Sequence, residues 1–317
     1  MRGAPHLLEK LFKARTLNDA QKEFLAFTSS QPKPSEHDDM LCKTYLKTRP
    51  IGRKHVDENG KESLVSMDIM PVIDFANHHS NGAYFNFTKD FDTNAPEREF
   101  LLLHDSRPLS FSNECFAFYN QMDALDSFMM YGFPDMHSAY VRSVPTEIEI
   151  PKTGKIIVHS MVSVMHKGTL PKNAAGLRPY IPSTIKNDGE TLEITNLLIP
   201  TNTATPQALR RVLRLLITNK VASQRTLNAQ EIWQCVLDAE EKVINENVRF
   251  YKDLLSDLDD AARTADEKMG AMISTIRTVA QIQLTKLYKY NFDDSHFATD
   301  STDINEEMGR NKAAAAE

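Results

Sequence analysis

The stretch Met70-Pro71-Val72-Ile73-Asp74-Phe75-Ala76-Asn77-His78-His79-Ser80-Asn81-Gly82 shows the sharpest change of character in the chain. It begins as an apolar run suited to a buried sheet and turns polar at Asn77. It ends at Asn81-Gly82, a dipeptide that favours a turn. An apolar run that leads into a dense set of hydrogen-bonding side chains is how many ligand pockets are built. A buried strand followed by a polar loop explains the same pattern, and both interpretations stay open at this point.

Short strands with irregular connections are predicted around this stretch, over residues 51–150. The evidence is a hairpin-type turn, two aromatic or apolar runs, a strand that ends in a tyrosine, and a short helix. These features are Asn59-Gly60, Tyr84–Phe87, Phe100–Leu103, Cys115–Tyr119 and Asp123–Met130. The sequence therefore predicts a β-rich region here.

Helical periodicity dominates both flanks of this region. Apolar residues recur at helical spacing over residues 7–28, and Ser35 is placed to cap a further helix that ends near Pro50. From Thr205-Pro206 onward the pattern is again helical. Residues 151–200 are ambiguous, because their apolar runs fit either strands or segments packed under helices.

Two long helices are predicted near the carboxyl terminus. Asn228 and Glu231 have the spacing of a capping box, and Leu227 and Ile232 that of a hydrophobic staple. The helix that follows should reach about Leu258. A further helix should run from about residue 265 to 290, and the acidic, Ala-rich tail 293–317 is predicted to be disordered.

Composition argues against several classes of protein. The 317 residues suit one large or two ordinary domains, and a net charge of -6 without a basic block argues against a nucleic-acid partner. No apolar run is long enough to span a bilayer, which argues against a membrane partner. Cys42, Cys115 and Cys235 are far apart, which predicts a reducing compartment, cytoplasmic or nuclear, and argues against structural zinc.

Pro71, Asp74 and Asn77-His78, then a lone Tyr119, then Tyr131-Gly132-Phe133 form an ordered set of motifs. In this order the set resembles the carboxyl half of a SET-domain methyltransferase, in the branch that includes Rubisco large-subunit lysine methyltransferase. The resemblance implies an α+β fold. Residues 1–50 would be a helical insert of the SET domain, 51–150 its carboxyl half, 151–292 an all-helical substrate-binding domain, and 293–317 a tail. A Gly-x-Gly element does not occur before residue 50, so the resemblance implies that this chain lacks the amino-terminal half of SET.

The resemblance also implies a site for S-adenosylmethionine. Asn77 would bind the methionyl end of the cofactor, the His78 backbone its adenine, and Phe133 would pack on the adenine ring. Tyr131 would line the site and Arg49 would lie at the junction of cofactor and substrate. Tyr119 would be the catalytic tyrosine at the methyl-transfer channel.

Substrate contacts implied by the resemblance fall on Ile51, Ile73 and Asp74. Asp74 could orient Arg49 or a substrate amine, and it could equally cap the turn at Asn77. The apolar Ile51 favours lysine over histidine as the methylated residue. No metal is expected, because His78, His79 and His104 have no cysteine or carboxylate at a metal-like spacing.

The function implied is protein-lysine N-methylation of a non-histone protein. Methyl transfer from a sulfonium to an amine is an in-line displacement that depends on positioning and on a neutral amine. The alternative is a non-catalytic SET-like module that docks a partner protein through its helical domain. The missing amino-terminal half of SET and the departure from the family pattern after Tyr119, at Asn120–Asp126, motivate this alternative.

Overall fold

The computed structural model describes residues 5–15, 22–23, 26, 33, 36–40, 42, 51–56, 62–68, 76–89, 99–104, 116–119, 121–160, 177, 180–201, 207–222 and 227–290. The chain divides into two compact units. One consists of Met1–Thr16, Asp123–Asp126 and Ala139–Glu317, and the other of Leu17–Met122 and Ser127–Ser138. We refer to them as the helical unit and the site unit.

The site unit contains two small sheets in its described residues. Strands β1 (Ile51–Val56) and β2 (Glu62–Asp68) pair antiparallel, as the hairpin signal predicts. In the second sheet the central strand β3 (His78–Lys89) pairs antiparallel with β4 (Glu99–His104) and parallel with β5 (Ala117–Phe118). This second sheet contains the Asn77-His78 motif and ends beside Tyr119.

Helix α2 (Ala124–Tyr131) confirms the predicted short helix. Its first three residues group with the helical unit and the rest with the site unit. Tyr131 is the last helical residue, so the Tyr131-Gly132-Phe133 motif marks the end of this helix.

The helical unit also contains strands. Strands β6 (Tyr140–Arg142) and β11 (Leu198–Pro200) pair antiparallel, while β7 (Thr146–Ile150), β8 (Gly154–His159), β9 (Ser183–Asn187) and β10 (Thr191–Thr195) form a sheet of order β7-β8-β10-β9. In β7 the side chains of Ile148 and Ile150 are buried, whereas Glu147 and Glu149 face solvent. This alternation with a period of two leaves one face of the sheet available for packing.

The α+β fold class is confirmed, but the description of residues 151–292 as all-helical is wrong. Residues 154–200 contribute β8 to β11, and within the described part of residues 151–292 the first α-helix begins at Ala208. These residues form strands because buried side chains recur at every second position: Ile156 and Val158 are both buried, while their neighbours are more exposed. The division of the chain into four parts at residues 50, 150 and 292 remains a prediction.

Three helices follow, namely α3 (Ala208–Ala222), α4 (Ala229–Ala262) and α5 (Glu267–Tyr288). Helix α4 is 34 residues long and packs against both of the others. Its buried stripe recurs every three or four residues, as the helical period requires. This stripe includes Ile232, Val236, Val243, Tyr251, Leu254 and Leu258.

The start of α4 confirms the predicted capping box. The Asn228 side chain accepts a hydrogen bond from the Glu231 amide at 2.9 Å, and the Glu231 carboxylate accepts one from the Asn228 amide at 2.8 Å. Leu227 and Ile232, the predicted staple residues, are both buried.

The amino-terminal helix α1 (Pro5–Ala14) packs on α4 within the helical unit, and Lys10 pairs with Asp257 at 2.5 Å. Lys22, Glu23, Ala26 and residues 36–40 are also helical. The predicted tail 293–317 lies outside the described residues. None of the helices in the described residues is both long enough and apolar enough to cross a membrane.

Candidate functional site

The Asn77-His78 motif lies at a bulge in β3. Ala117 of β5 is opposite both His78 and Ala83, so the residues between His78 and Ala83 are not paired with β5. The Ala117 amide donates to the Asn77 carbonyl at 2.8 Å, and the Ala83 amide donates to the Phe116 carbonyl at 2.9 Å. These two hydrogen bonds hold the bulge closed at its base.

Gly82 allows this close approach of the two strands. A Cβ at residue 82 would lie 2.6 Å from the Ala117 carbonyl carbon and 2.8 Å from its oxygen. Contacts this short require the backbone to move. The expectation that Asn81-Gly82 ends the stretch in a turn is therefore wrong: β3 continues through both residues to Lys89, and glycine at residue 82 is required for packing against Ala117.

The buried ring of His78 is held from both nitrogens. Its Nδ1 accepts a hydrogen bond from the Tyr119 amide at 3.1 Å, and its Nε2 lies 3.0 Å from the Asp135 carboxylate. Because Nδ1 accepts, we assign the ring hydrogen to Nε2, which donates to Asp135. With both nitrogens engaged, the ring orientation is fixed.

Asp135 accepts three hydrogen bonds and is buried, with 6% of its surface exposed. His78 and Ser80 donate to its Oδ2, and the His137 amide donates to its Oδ1 at 3.0 Å. Burial acts to raise the pKa of Asp135. The hydrogen bonds from His78, Ser80 and the His137 amide outweigh burial and lower the pKa to about 2.

Tyr119 lies directly after β5 and begins an aromatic wall. Its hydroxyl donates to the Ala76 carbonyl at 2.6 Å, and its ring is 5.4 Å from that of Tyr131 in an edge-on arrangement. Tyr131 in turn stacks on Phe133 at 5.9 Å, and 38% of Phe133 is exposed. The His78 ring lies 5.3 Å from Tyr119 and 6.3 Å from Phe133.

The Tyr131-Gly132-Phe133 motif is the carboxyl-terminal cap of α2. Gly132 has φ +82°, and its amide donates to the Phe128 carbonyl at 2.9 Å. Glycine adopts this left-handed conformation without a steric cost, and it commonly ends helices for that reason. The cap turns the chain, so Phe133 can stack on Tyr131 although the two are almost adjacent in sequence.

A pair of imidazoles lies beside His78. The rings of His79 and His137 are 4.8 Å apart, and Nδ1 of His79 accepts from the Asn81 amide at 3.0 Å. Burial lowers the pKa of His79, and the nearby His137 lowers it further. A neutral His79 is therefore favoured.

The structure brings together four of the residues assigned from the sequence, and a fifth lies next to them. His78, Tyr119, Tyr131 and Phe133 form one connected group of rings, and the exposed Asn77 directly precedes His78 at the start of β3. Ile51 begins β1 in the other sheet, and its side chain is not described. Arg49, Ile73 and Asp74 lie outside the described residues.

Sequence reasoning did not identify Asp135, Ser80 or His137 as members of this site. The segment of Asp135 and His137, Pro134–His137, stands out in the sequence only as a departure from the family pattern, whereas Ser80 lies within the stretch 70–82. A signal exists, since an acid shortly after Tyr131-Gly132-Phe133 can pair with one of the two histidines at 78 and 79. In the part of the chain that the structure describes, no group of three or more His, Cys, Asp and Glu side chains could hold a metal ion.

Comparison with protein-family models, with curated proteins and with solved structures finds no match to this chain. The resemblance to SET-domain methyltransferases therefore rests on the motifs themselves, and the function that it implies is a proposal.

Proposed function

We propose that this chain is an S-adenosylmethionine-dependent protein-lysine N-methyltransferase acting on a non-histone protein. One observation carries the proposal. The motifs at Tyr119 and Tyr131–Phe133 both meet the ring of His78, which belongs to the first motif. The Tyr119 amide lies 3.1 Å from His78 Nδ1, and the rings of Tyr119 and Phe133 lie 5.3 and 6.3 Å from the His78 ring. If each motif served only to stabilise its own strand or helix, the three would not need to meet at one point.

The chemistry of methyl transfer fits the polar atoms at this point. The reaction needs a neutral amine held on the axis of the breaking bond, so positioning supplies much of the rate. The Tyr119 hydroxyl and the Ala76 carbonyl, 2.6 Å apart, offer two oxygen acceptors that could orient the amine hydrogens. The rings of Tyr131 and Phe133 supply apolar surface, and desolvation there would favour the neutral amine.

The residues present also fit the cofactor. An exposed amide at Asn77 suits the charged methionyl end, and the solvent-exposed face of Phe133 suits a flat heteroaromatic ring. S-adenosylmethionine would supply the methyl group, while the protein would bind, orient and desolvate the reactants. Arg49, Ile51, Ile73 and Asp74 are proposed to contact cofactor and substrate on the resemblance alone.

The first test is a calorimetric titration of S-adenosylmethionine into the full chain, with Asn77→Ala as the test variant. Asn81→Ala is the matched control, because Asn81 lies four residues further on, in the β3 bulge, and is also exposed. We expect binding by the wild type, a loss of affinity of about tenfold or more in Asn77→Ala, and little change in Asn81→Ala. A folded wild-type sample that gives no binding heat would overturn the proposal.

Catalysis has its own test. Methyl-labelled S-adenosylmethionine and cell extract should give labelled lysine in an extract protein, and Tyr119→Phe should slow the labelling. Labelled histidine in place of lysine would reassign the substrate residue.

A second candidate is a non-catalytic module that docks a partner protein through α3 to α5. The observation in its favour is that the polar groups of the site already satisfy one another. Tyr119 donates to Ala76, and both nitrogens of His78 are engaged. A partner that stays bound without S-adenosylmethionine, and that is never labelled in its presence, would favour this candidate.

A further inference from the structure

The carboxylate of Asp135 binds the ring of His78 in the first motif, although no motif contains Asp135 itself. His78 and Ser80 of the β3 bulge donate to its Oδ2, and its own amide donates to the Ser127 hydroxyl at 2.6 Å. Asp135 also follows Phe133 by two residues, so it fixes the segment that leads away from the rings of Tyr131 and Phe133. A buried carboxylate with several donors is a rigid point of attachment, because each charge-assisted hydrogen bond restrains it.

His78 connects this carboxylate to Tyr119. One ring nitrogen faces Asp135 at 3.0 Å, and the other accepts from the Tyr119 amide at 3.1 Å. A ring engaged at both nitrogens has no free lone pair for a substrate proton. It serves instead as a spacer of fixed length between Asp135 and the Tyr119 backbone.

We propose that Asp135 is the positioning residue of this site, acting through the His78 ring to hold Tyr119 against the Ala76 carbonyl before any ligand binds. The part of the inference that concerns catalysis rests on the proposed function, in which Tyr119 orients the amine. The positioning itself belongs to the protein without ligand and can be measured there.

The primary experiment measures amide hydrogen exchange at Tyr119 by NMR in the full chain without ligand. Labelling with 15N-tyrosine gives at most nine amide signals, and the signal missing from Tyr119→Phe identifies residue 119. Asp135→Asn should accelerate exchange at Tyr119 by about tenfold or more, since the side chain loses its charge and one of the two oxygens that accept from His78, Ser80 and the His137 amide. A second sample labelled with 15N-alanine supplies the control, because exchange at Ala117, whose amide is bonded to the Asn77 carbonyl, should stay unchanged.

The pathway through His78 has a separate test. In His78→Asn the amide oxygen replaces Nδ1 as an acceptor for Tyr119, while the donor to Asp135 is lost. On that background Asp135→Asn should cause no further acceleration at Tyr119, because the connection is already broken. Ser80→Ala removes only one donor to Asp135, so it should accelerate exchange at Tyr119 less than Asp135→Asn does. This milder variant replaces Asp135→Asn in the measurement if Asp135→Asn fails to fold.

The outcomes separate the two hypotheses. Unchanged exchange at Tyr119 in Asp135→Asn, or equal acceleration at Tyr119 and Ala117, would overturn the positioning role. Selective acceleration at Tyr119, together with methyl labelling slowed by about tenfold at nearly unchanged affinity for S-adenosylmethionine, would support it. A wild-type protein that binds no S-adenosylmethionine would overturn the proposed function, and exchange at Tyr119 would still decide whether Asp135 positions Tyr119.

Discussion

The Nε of Arg15 donates to the Asp126 carboxylate at 2.7 Å, so that the end of α1 is bonded to the first turn of α2 across 111 positions of sequence. Arg15 also donates to Asp123 at 2.7 Å, and Arg142 donates to the other oxygen of Asp126 at 2.5 Å. All four side chains are buried. Burial acts to raise the pKa of Asp126, but the guanidinium groups of Arg142 and Arg15 outweigh it, and the pKa is lowered.

Replacing Arg15 with methionine should therefore destabilise the helical unit. The substitution leaves two buried carboxylates facing the single guanidinium of Arg142, and the free energy of unfolding should fall by about 3–5 kcal/mol. Urea denaturation followed by circular dichroism measures the change. Arg249→Met is the matched control, because Arg249 pairs with Glu246 on the exposed surface of α4 and should show no clear change. A loss below about 1 kcal/mol in Arg15→Met would contradict the buried cluster.

Gly82→Ala should destabilise the site unit, whereas Gly270→Ala should not. The new methyl at residue 82 meets the Ala117 backbone at 2.6 Å, and overpacking of this kind costs about 1–3 kcal/mol. Gly270 lies within α5 with no atom near its missing Cβ, so alanine there should stabilise the helix by about 0.5–1 kcal/mol. Thermal melts of the two variants should therefore shift in opposite directions. A neutral Gly82→Ala would mean that β3 and β5 can separate at little cost.

Asp135 should make stability depend on pH at the acidic end. Its pKa of about 2 in the folded chain is below the unfolded value of about 3.9, so the unfolded chain binds more protons between these two values. The stabilisation is fully present above about pH 5 and is lost as the pH falls through the folded pKa. The wild type should be about 2 kcal/mol more stable than Asp135→Asn at neutral pH, and this difference should shrink towards pH 2.

Asp188 is the control for this experiment. Its pKa is also about 2, chiefly because of a hydrogen bond from Lys186, but the pair is exposed. Since salt screens exposed pairs, 1 M sodium chloride should reduce the effect of Asp188→Asn more than that of Asp135→Asn. Urea titrations at several pH values, with and without salt, would reveal the difference. Equal salt sensitivity of the two variants would contradict the burial of Asp135.

Asn228→Ala should cost about 1 kcal/mol, because it removes the side chain that caps α4. The same substitution at Asn245, an exposed position within α4, should instead stabilise by about 0.5 kcal/mol, since alanine is the better helix former. Equilibrium unfolding in urea compares the two variants directly. Effects of the same sign would show that the hydrogen bonds between Asn228 and Glu231 do not contribute in solution.

The capping box could be predicted from the sequence because it is local. Asn228 and Glu231 are three residues apart, and the helical repeat that follows places both groups without reference to the rest of the chain. The same holds for α5, predicted from about residue 265 to 290 and observed over Glu267–Tyr288. The β1–β2 pair likewise follows from a local turn signal.

Contacts between distant segments could not be predicted in this way. The strands in residues 154–200 were ambiguous because short apolar runs fit strands and buried helices equally well. The burial of Asp135 could not be predicted, since two of its three donors, His78 and Ser80, lie more than fifty residues away in the sequence. Arg15 likewise finds its partners only after α1 and α2 have come together in the helical unit.

Strand β5, with only two residues, is the shortest strand described, yet it connects Tyr119 to the rest of the site unit. Its parallel pairing with β3 requires a long segment of chain to close before the first hydrogen bond forms, whereas the β1–β2 hairpin closes over a short one. Contacts that close long loops form late and slowly. We therefore expect the residues around His78 to assemble last during folding and to open first under mild denaturant, so that ligand binding would be lost before the helices unfold.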